Sequence, residues 1–352
     1  MKKSQEYELR KYANNLDSLY GIKDYLFNDG PNRGLRALDL NNGRNTEVTF
    51  LADRALDMAS LKYKGVNIGL YNKVGIRSPY LYQEDGGSGF LKQFFGGMMS
   101  TCGMTYCGAA GEDNGKALGL HGPVNNIPAE HVCAETVYEG DDAVMRVSGE
   151  VREAEVFGTD MHMKREFRLE TERDILHIHD VVTNRAYEKQ PLMMIYHINF
   201  GYPMLDEGAK CYFSAQNVEG VTDFAKEGIG NYDVMEAPGM GRDEQCYYHT
   251  CQPAEGEAFA MLHNEKLGIA AIIRFDKYVF PIMCEWKCMR AGEYALGLEP
   301  TTSATLNRSV AREKGWLTYL ETGESREYNV SIELTDDPAV IEHYKAVAHK
   351  KG

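Results

Sequence analysis

The 352-residue sequence lacks the long apolar run that a membrane-spanning helix requires. Its first residues, MKKSQEYELRKYANN, include basic side chains but no apolar segment behind them, unlike a secretory signal peptide. The glycine-rich fingerprints of dinucleotide-binding folds and P-loops are also missing. These absences predict a cytoplasmic protein that has no membrane partner and needs no nucleotide cofactor.

The sequence contains fewer basic than acidic residues. Lys and Arg number 38 against 52 Asp and Glu, which gives a formal net charge of -14, and no long basic run offsets the excess. A surface with this charge repels the phosphate backbone of DNA or RNA. We therefore do not expect the protein to bind nucleic acid.

The eight cysteines do not have the density of a disulfide scaffold, and we expect reduced thiols. Cys102, Cys107, His121 and Cys133 fall in one region of the chain, which raises the question of zinc. Their spacing is irregular and no tight CxxC pair anchors them, whereas structural zinc sites usually contain closely paired ligands. We expect no metal, and small buried side chains instead.

Hydrophobic residues mostly recur with a period of two, the pattern of half-buried strands. The segments with this alternation are Ala143–Val151, His162–Glu170, Asp174–Val182 and Glu327–Leu334. The continuous apolar run Gly268–Phe275 is typical of a strand buried on both faces, although a helix would also fit it. Clusters of Gly, Asn and Asp separate these segments, so the sequence predicts an all-β sandwich or barrel.

Helical patterning is confined to the two ends, at Tyr7–Ser18 and Pro338–Lys350. Between them we find no internal repeat, no low-complexity linker and no shift in pattern. The sequence therefore predicts a single domain over residues 1–352. Residues 1–33 would form an N-terminal extension of this domain, and residues 338–352 a C-terminal tail.

Three stretches carry candidate catalytic residues at strand ends beside turns. LGLHGPVNN contains His121, MMIYHINFGYPML contains His197, and GEYALGLEPTT contains Glu299. Imidazole and carboxyl groups exchange protons with sugar oxygens near neutral pH, so these residues could form an acid–base set. Taken alone, each histidine fits a structural role in the core or a loop better than a catalytic one. Glu299 follows an apolar strand, and a buried carboxyl group requires a partner or a function.

The order of LHG, YHINFGYP and LGLEPTT resembles the aldose 1-epimerase (galactose mutarotase) superfamily. The sequence is more closely similar to an aldose 1-epimerase-like branch of it. The stretches similar to that branch are DRALDMASLKYKG, FFGGMMSTCGM, ALGLHGPVNNIPAE, MIYHINFGYPML and YALGLEPTT, and the similarity spans about Gly34 to Leu334. The resemblance implies a large twisted antiparallel β-sandwich, the galactose mutarotase-like supersandwich, with its site in a cleft on one face.

The resemblance also implies a role for each of the three residues. Glu299 matches the base that removes the proton of the anomeric hydroxyl, and His197 matches the acid that protonates the ring oxygen. His121 matches the histidine that binds and polarises the sugar. Gly119 and Gly122 would let the backbone bring this histidine close to a ligand. Such chemistry needs no metal and no cofactor.

The sequence departs from mutarotases in the residues that select the substrate. Mutarotases carry an arginine that contacts the sugar, in a segment that has no counterpart here, and we take Arg54 and Arg77 as stand-ins. The mutarotase aspartate that holds distal hydroxyls has no clear match either. Asp206 follows the GYPML turn, where a turn-forming role is expected. The proton-transfer residues are thus retained and the substrate-selecting residues replaced.

Four further residues are candidates for sugar contacts. Lys287 lies on a strand shortly before Glu299 in the sequence, where it could keep the carboxylate ionised or bind an anionic sugar. A solvated charge at a strand edge fits Lys287 equally well. Tyr196, Asn199 and Trp286 offer aromatic faces and an amide for sugar hydroxyls, although Trp286 also suits ordinary core packing.

These observations predict a cofactor-free epimerase that acts at the anomeric carbon of a free aldose or related sugar. A small-molecule carbohydrate is the expected partner, and association into a homo-oligomer stays open. Two alternatives remain. The same residues could serve a keto-sugar isomerase or epimerase, which moves a proton at a carbon next to a carbonyl. The fold could also belong to a carbohydrate-binding or regulatory protein without activity.

Overall fold

The computed structural model describes residues 1–251 and 258–348. The strands of the first half are β1 (Gly21–Leu26), β2 (Arg36–Asn41), β3 (Thr46–Leu51), β4 (Asp57–Tyr63), β5 (Val66–Asn67), β6 (Leu70–Tyr71), β7 (Gly96–Gly97), β8 (Met99–Cys102), β9 (Gly111–Asp113), β10 (Lys116–Leu118), β11 (Glu130–Glu139) and β12 (Asp142–Ala154). The strands of the second half are β13 (Asp160–Glu170), β14 (Ile175–Asn184), β15 (Gln190–Leu192), β16 (Ile195–Phe200), β17 (Lys210–Phe213), β18 (Ala215–Gly220), β19 (Gln245–Cys251), β20 (Ala258–Asn264), β21 (Ile269–Phe275), β22 (Ile282–Cys288), β23 (Ala295–Thr301), β24 (Thr318–Leu320) and β25 (Ser325–Thr335).

Two large sheets dominate the fold. The first sheet has 11 strands in the order β1-β2-β3-β4-β8-β16-β23-β22-β19-β18, with β5 added to β4. The second has eight strands in the order β11-β12-β13-β14-β25-β21-β20-β17. Neighbouring strands within both sheets are antiparallel. Three two-stranded pairs, β6 with β7, β9 with β10 and β15 with β24, lie outside them.

The apolar faces of the two sheets pack on each other to form the main core. Phe50 of the first sheet and Phe167 of the second place their ring centroids 4.4 Å apart. Buried side chains alternate along the long strands β13, β14 and β25, as the period of two predicts. On β25 the buried ones are Tyr328, Val330, Ile332 and Leu334. The structure is therefore an all-β antiparallel sandwich, and the predicted fold class is confirmed.

A buried ionic cluster joins the two sheets. Arg165 on β13 forms a two-pronged pair with Asp180 on β14, at 2.9 Å and 2.6 Å, and reaches Asp57 of the first sheet at 3.1 Å. Thr101 donates from its backbone and its hydroxyl to Asp57, and the Tyr196 hydroxyl donates to Asp180 at 2.5 Å. Burial alone would lower the pKa of Arg165, but the two carboxylates hold it above its usual value.

Strand β21 is buried on both faces, as its apolar run predicts. Ala271 and Ile273 face the main core, whereas Ile272 on the other face packs with Ile341. Ile341 belongs to helix α4 (Pro338–Val347), which begins after the side chain of Asp337 caps Ala339. The C-terminal helix thus covers the outer face of the second sheet.

The predicted distribution of helices is partly wrong. The N-terminal prediction of Tyr7–Ser18 corresponds to a helix α1 (Lys3–Leu9) and a separate 3₁₀ turn. Two short helices, α2 (Asp223–Glu227) and α3 (Arg308–Glu313), occur in the chain interior, where no helix was predicted. Both are too short to show a helical hydrophobic period, and capping by Thr222 and Asn307 stabilises their starts.

The C-terminal helix ends at Val347, and the last residues of its predicted range, 349 and 350, lie outside the described residues. At the other end of the chain, β1 falls within the predicted N-terminal extension and pairs with β2. The helices of the described part of the chain are all too short to cross a membrane.

Candidate active site

The candidate site lies on the outer face of the first sheet, over its central strands β16, β23 and β22. Alternation along β16 places His197 and Asn199 on this face, and the pairing of Asn199 with Gly297 places Gly297 and Glu299 beside them. Trp286 of β22 lies opposite Gly297. Three strands from distant parts of the sequence therefore deliver these side chains to one region.

His121 reaches the same region from a loop. Its ring lies 5.5 Å from the ring of His197, centroid to centroid, and perpendicular to it. The ring of Phe90 packs against it at an angle of 70°, with the two centroids 4.8 Å apart. The Nδ1 of His121 lies 2.9 Å from the carbonyl oxygen of Cys107. His121, His197 and Glu299, the three residues singled out in the sequence, are thus brought together.

Two glycines make this loop conformation accessible. A Cβ on Gly122, whose φ is +72°, would lie 2.1 Å from the carbonyl oxygen of Tyr106. A Cβ on Gly119 would lie 2.8 Å from a carboxylate oxygen of Glu84. His121 itself has a φ of +61°, in the left-handed region that few side chains adopt. Gly122 is needed because the loop packs closely on the backbone of its own protein neighbours, whereas the carboxylate of Glu84 could move away from a side chain at position 119.

Glu299 is buried, with 2% of its surface exposed, and Gly297 provides the space for its carboxyl group. A Cβ on Gly297 would lie 2.2 Å from Oε1 of Glu299. The same Oε1 lies 3.1 Å from Nδ1 of His197, although it has no geometrically complete hydrogen bond within the described residues. This histidine and carboxyl group form a closely spaced pair.

Asn199 holds His197 in place. Oδ1 of Asn199 lies 2.6 Å from Nδ1 of His197, and its Nδ2 donates to the carbonyl oxygens of Gly96 and His197. Asn199, which was predicted to contact sugar, lies on the face of the site, but it is fully buried and its amide oxygen and nitrogen both contact protein groups. Its role in the structure is to orient the histidine.

Trp286 forms an aromatic wall of the site, where the sequence predicted a sugar contact. Its side chain is partly exposed, and its ring packs 5.6 Å from His197 and 6.3 Å from Phe94. Its indole nitrogen donates to the carboxylate of Glu244 at 2.8 Å. Glu244, which the sequence analysis missed, is exposed at the rim.

Burial dominates the electrostatics of the site. It raises the pKa of Glu299 to about 8, and the nearby Glu244 carboxylate adds to the rise. Burial and the neighbouring His121 lower the pKa of His197 to about 3. Burial also lowers the pKa of His121, against the effect of the Cys107 carbonyl. The site thus favours neutral forms of all three groups.

A family model described as "Domain of unknown function (DUF4432)" matches residues 32–334. The chain belongs to the DUF4432 family. No curated protein matches it in sequence.

Solved structures share the fold of this DUF4432 domain. A Klebsiella pneumoniae protein, named as a candidate aldose 1-epimerase, is 24% identical over 94% of this chain and 89% of its own, with a TM-score of 0.88. A galactose mutarotase-like protein from Clostridium acetobutylicum is 15% identical over 90% and 99% of the two chains, with a TM-score of 0.62. The galactose 1-epimerase of Lactobacillus acidophilus is 12% identical over 90% and 99%, with a TM-score of 0.59. These similarities confirm the galactose mutarotase-like fold.

The structure does not support Arg54 as a sugar ligand in this DUF4432 domain. Arg54 is fully buried and donates to the backbone carbonyls of Asn125, Arg77 and Gln93. Its guanidinium group therefore organises three loop segments. Arg77 supplies one of those carbonyls and is itself half-buried, and its Nε has no hydrogen-bond partner within the described residues.

Tyr196 was predicted to contact the sugar, and this prediction is wrong. It precedes His197 on β16 and therefore points to the opposite face of the sheet. There it is fully buried, and its hydroxyl donates to Asp180 of the second sheet. Tyr196 belongs to the core between the sheets.

Lys287 was also predicted at the site, and it too faces the interior, because it follows Trp286 on β22. Its ammonium group donates to the carbonyl oxygens of Asn231 and Val234 at 2.9 Å and 2.8 Å, and pairs with Glu236 at 2.7 Å. Lys287 therefore neither ionises Glu299 nor offers a cation to an anionic sugar.

The structure also shows the positions of Asp206 and of the cysteines that were considered as zinc ligands. Asp206 accepts from the backbone of Glu207 and pairs with Lys266 at 2.7 Å, which is the turn chemistry expected of it. Cys133 is exposed on β11 of the second sheet, whereas Cys102 and Cys107 are buried near the site. The cysteines that raised the question of zinc therefore do not form one cluster.

Proposed function

We propose that this DUF4432 protein interconverts the anomers of a free aldose or a related sugar without a cofactor. The observation that supports this most strongly is the His197–Glu299 pair, 3.1 Å apart on the outer face of the first sheet, with His121 and Trp286 beside it. A single basic or acidic group cannot open a pyranose ring efficiently. Two groups of complementary function, held this closely, can.

The reaction requires two coupled proton transfers. One group removes the proton of the anomeric hydroxyl while the other protonates the ring oxygen, and the ring opens to the free aldehyde. Rotation about the C1–C2 bond and closure from the other face invert the anomeric centre. Each positioned acid or base is typically worth about 10² to 10⁴ in rate.

The side chains around this pair can make the contacts that a carbohydrate requires. The exposed face of Trp286 can stack on the apolar face of a pyranose, and His121 can bind an oxygen near the anomeric carbon. Glu244 at the rim offers acceptors to hydroxyl groups and repels anions. Since Lys287 faces the interior, we propose an uncharged sugar as the substrate. We place the protein in the cytoplasm, where thiols such as Cys107 stay reduced.

The test replaces Glu299 by Gln, which preserves shape but removes the titratable group. Anomer exchange followed by NMR on a panel of free sugars should fall by about 10² to 10⁴-fold, equivalent to roughly 3 to 5 kcal/mol of barrier. Sugar binding should survive. Glu285→Gln is the matched control, because Glu285 is equally buried and also pairs with a histidine, His249, but on the interior face.

The outcome separates the alternatives. E299Q with near-normal exchange would contradict the proposal. Wild-type protein that binds sugar but leaves exchange at the spontaneous rate would indicate a binding or regulatory protein. Deuterium incorporated from solvent at a sugar carbon would indicate a keto-sugar isomerase, because anomer exchange leaves carbon-bound hydrogen untouched.

A further inference from the structure

We propose that the protein has a second carbohydrate site, separate from the His197–Glu299 pair. It lies in a cavity of about 870 Å³, which we call the side cavity, between strand β10, the turn that joins β12 to β13, and strand β15. Loop residues on either side of His121 also line it, namely Leu118, Gly119, Gly122 and Pro123. Within the described part of the chain, the lining includes neither of the two site histidines nor Glu299.

The size and the walls of the side cavity suit a small organic ligand. Sites for such ligands typically occupy about 300 to 1,000 Å³ and are mainly apolar, with a few polar groups that fix the ligand. The apolar wall consists of Pro79, Leu118, Pro123, Ile127 and Pro191, and the aromatic side chains are those of Tyr82 and Tyr106. Side chains of these kinds pack on the C–H faces of sugar rings.

Two buried side chains of the lining have hydrogen-bond donors that the protein does not use. Gln190 is 9% exposed, and its Oε1 accepts from the hydroxyl of Thr159 at 3.4 Å, but its Nε2 has no partner among residues 1–251 and 258–348. Arg308 is 8% exposed, and it donates from Nε to Asp113 and from Nη1 to the carbonyl oxygen of Thr105. Its Nη2 has no partner in the same two ranges. Because buried side chains usually satisfy their polar groups, these donors indicate a ligand that supplies acceptors.

Glu153 provides an acceptor in the same lining. Its Oε2 accepts from the backbone nitrogens of Met104 and Thr105, at 2.7 Å and 3.1 Å, and its Oε1 accepts from the Thr105 hydroxyl. A carboxylate has about four acceptor positions, so one of them is still available. The side cavity therefore offers both donors and an acceptor to a ligand.

The charges of the lining favour a neutral ligand. Three carboxylates and two cations line the side cavity, those of Glu84, Glu153, Glu155, Lys116 and Arg308. An anion would be repelled by the excess of negative charge, and the two cations are already paired, Lys116 with Glu155 and Arg308 with Asp113. A hydroxyl group can accept from Gln190 or Arg308 and also donate to a carboxylate. An uncharged saccharide therefore fits the side cavity better than an anionic one.

NMR can follow the two sites separately. Ile127 lines the side cavity, and Trp286 belongs to the candidate active site. The probes are methyl α-D-glucopyranoside and methyl α-D-galactopyranoside, in which the methyl group blocks ring opening. At least one probe should shift the methyl signals of Ile127 to saturation, with a titration curve different from that of the Trp286 indole signal. Signals of Ile127 that respond to neither probe, or that follow the same curve as Trp286, would overturn the proposal.

Gln190→Leu removes the free donor and keeps a side chain of similar size. It should weaken probe binding at Ile127 by about 2- to 10-fold, which is the usual contribution of one hydrogen bond. Gln245→Leu is the matched control. Gln245 is 8% exposed and makes one side-chain hydrogen bond, at 3.4 Å to the carbonyl oxygen of Phe224, but it lies on β19 outside the side cavity. Its replacement should leave the Ile127 titration unchanged.

Ala117→Phe is a second variant that does not depend on a buried residue. Ala117 lines the side cavity at an exposed position of β10, so a larger side chain fills space there without disturbing the core. It should weaken probe binding at least as much as Q190L. Probe affinity at Ile127 that is unchanged in both variants would overturn the second site. Since the protein cannot turn over these probes, the result is independent of whether it exchanges anomers.

Discussion

Gly297 illustrates how a missing side chain defines the site. The Glu299 carboxyl group occupies the volume beside its Cα, and Trp286 of the next strand closes that volume from the other side. Any larger residue at this position would compete with the carboxyl group for space. The precise placement of an acid–base group matters because a displacement of about 1 Å can reduce the rate about 10²-fold.

Gly297→Ala should therefore reduce kcat for anomer exchange by about 10²-fold, because the new Cβ would lie 2.2 Å from Oε1 of Glu299. The KM for the sugar should change little. Steady-state kinetics by NMR or polarimetry would measure both. Gly230→Ala is the control, since a Cβ there meets nothing within 4 Å. Full activity of G297A would show that the carboxyl group need not occupy its present position.

Sequence motifs marked His121, His197 and Glu299, which the fold brings together. Predictions from sequence failed where the direction in which a strand residue faces was decisive. Tyr196 and His197 are adjacent on a strand, as are Trp286 and Lys287. Because adjacent strand residues point to opposite faces of the sheet, only one residue of each pair can lie on the face of the site. Alternation in the sequence contained this information. The role of Asn199 could not be predicted, because it depends on a hydrogen bond that only the folded backbone creates.

The position of Glu244 at the site was weakly indicated by the sequence. It lies just before β19, and counting back in twos from Tyr248 and Cys246, which pair with Cys284 and Trp286, places it on the face of the site. The irregular loop in front of β19 hid this pattern. Loop residues that approach a site from outside the regular strands are the ones that periodicity misses.

Among the elements, long strands were predicted well because an alternating pattern of eight or more residues is hard to produce otherwise. Short helices were not, and α3 shows why they matter. Ala311 of α3 packs in the same apolar cluster as Phe90 and Phe94, which lie beside the two histidines. Asp113 at the end of β9 holds α3 by accepting from Arg308 and from Arg312, each at 2.7 Å.

Asp113→Asn should lower the free energy of unfolding by about 3 kcal/mol, because it leaves the buried Arg308 without its anion. The pKa of Asp113 is lowered to about 2, mainly by its hydrogen bond with Arg312 and also by that with Arg308. A lowered pKa stabilises the fold above the unfolded-state value near 4, and this contribution disappears as the pH falls from about 4 to 2. Denaturant unfolding across this pH range should show a shallower acid-side loss in D113N.

The control for this experiment is Asp24→Asn, which removes an exposed partner of Arg36. A surface pair of this kind is worth about 0 to 1 kcal/mol. If D113N were no less stable than D24N, the link between β9 and α3 would have to be regarded as incidental.

At the scale of the whole molecule, the two sheets are held together by apolar packing and by a buried cluster of three charged side chains. Arg165 and its partners Asp57 and Asp180 are all fully buried, and they connect strands of both sheets. Such a cluster adds little net stability compared with apolar packing. Removing one member is costly, because the remaining charges stay buried.

Arg165→Met should lower the free energy of unfolding by about 3 to 5 kcal/mol, since two carboxyl groups then remain without their cation. Urea unfolding followed by circular dichroism would measure the change. Arg146→Met on the neighbouring strand β12 is the control, because Arg146 pairs with Glu139 at the surface and should cost less than about 1 kcal/mol. A loss below about 1 kcal/mol in R165M would mean that the cluster does not tie the sheets together.

The position of β25 in the second sheet has a consequence for synthesis of the protein. This strand follows both of its partners in the sequence and inserts between β14 and β21, so that Ile178 and Phe275 both lie opposite Val330. Until it arrives, both neighbours expose an unpaired edge, which other chains can bind. Contacts this distant in sequence also form slowly. The nascent chain therefore exposes these two edges to other chains until β25 has been translated.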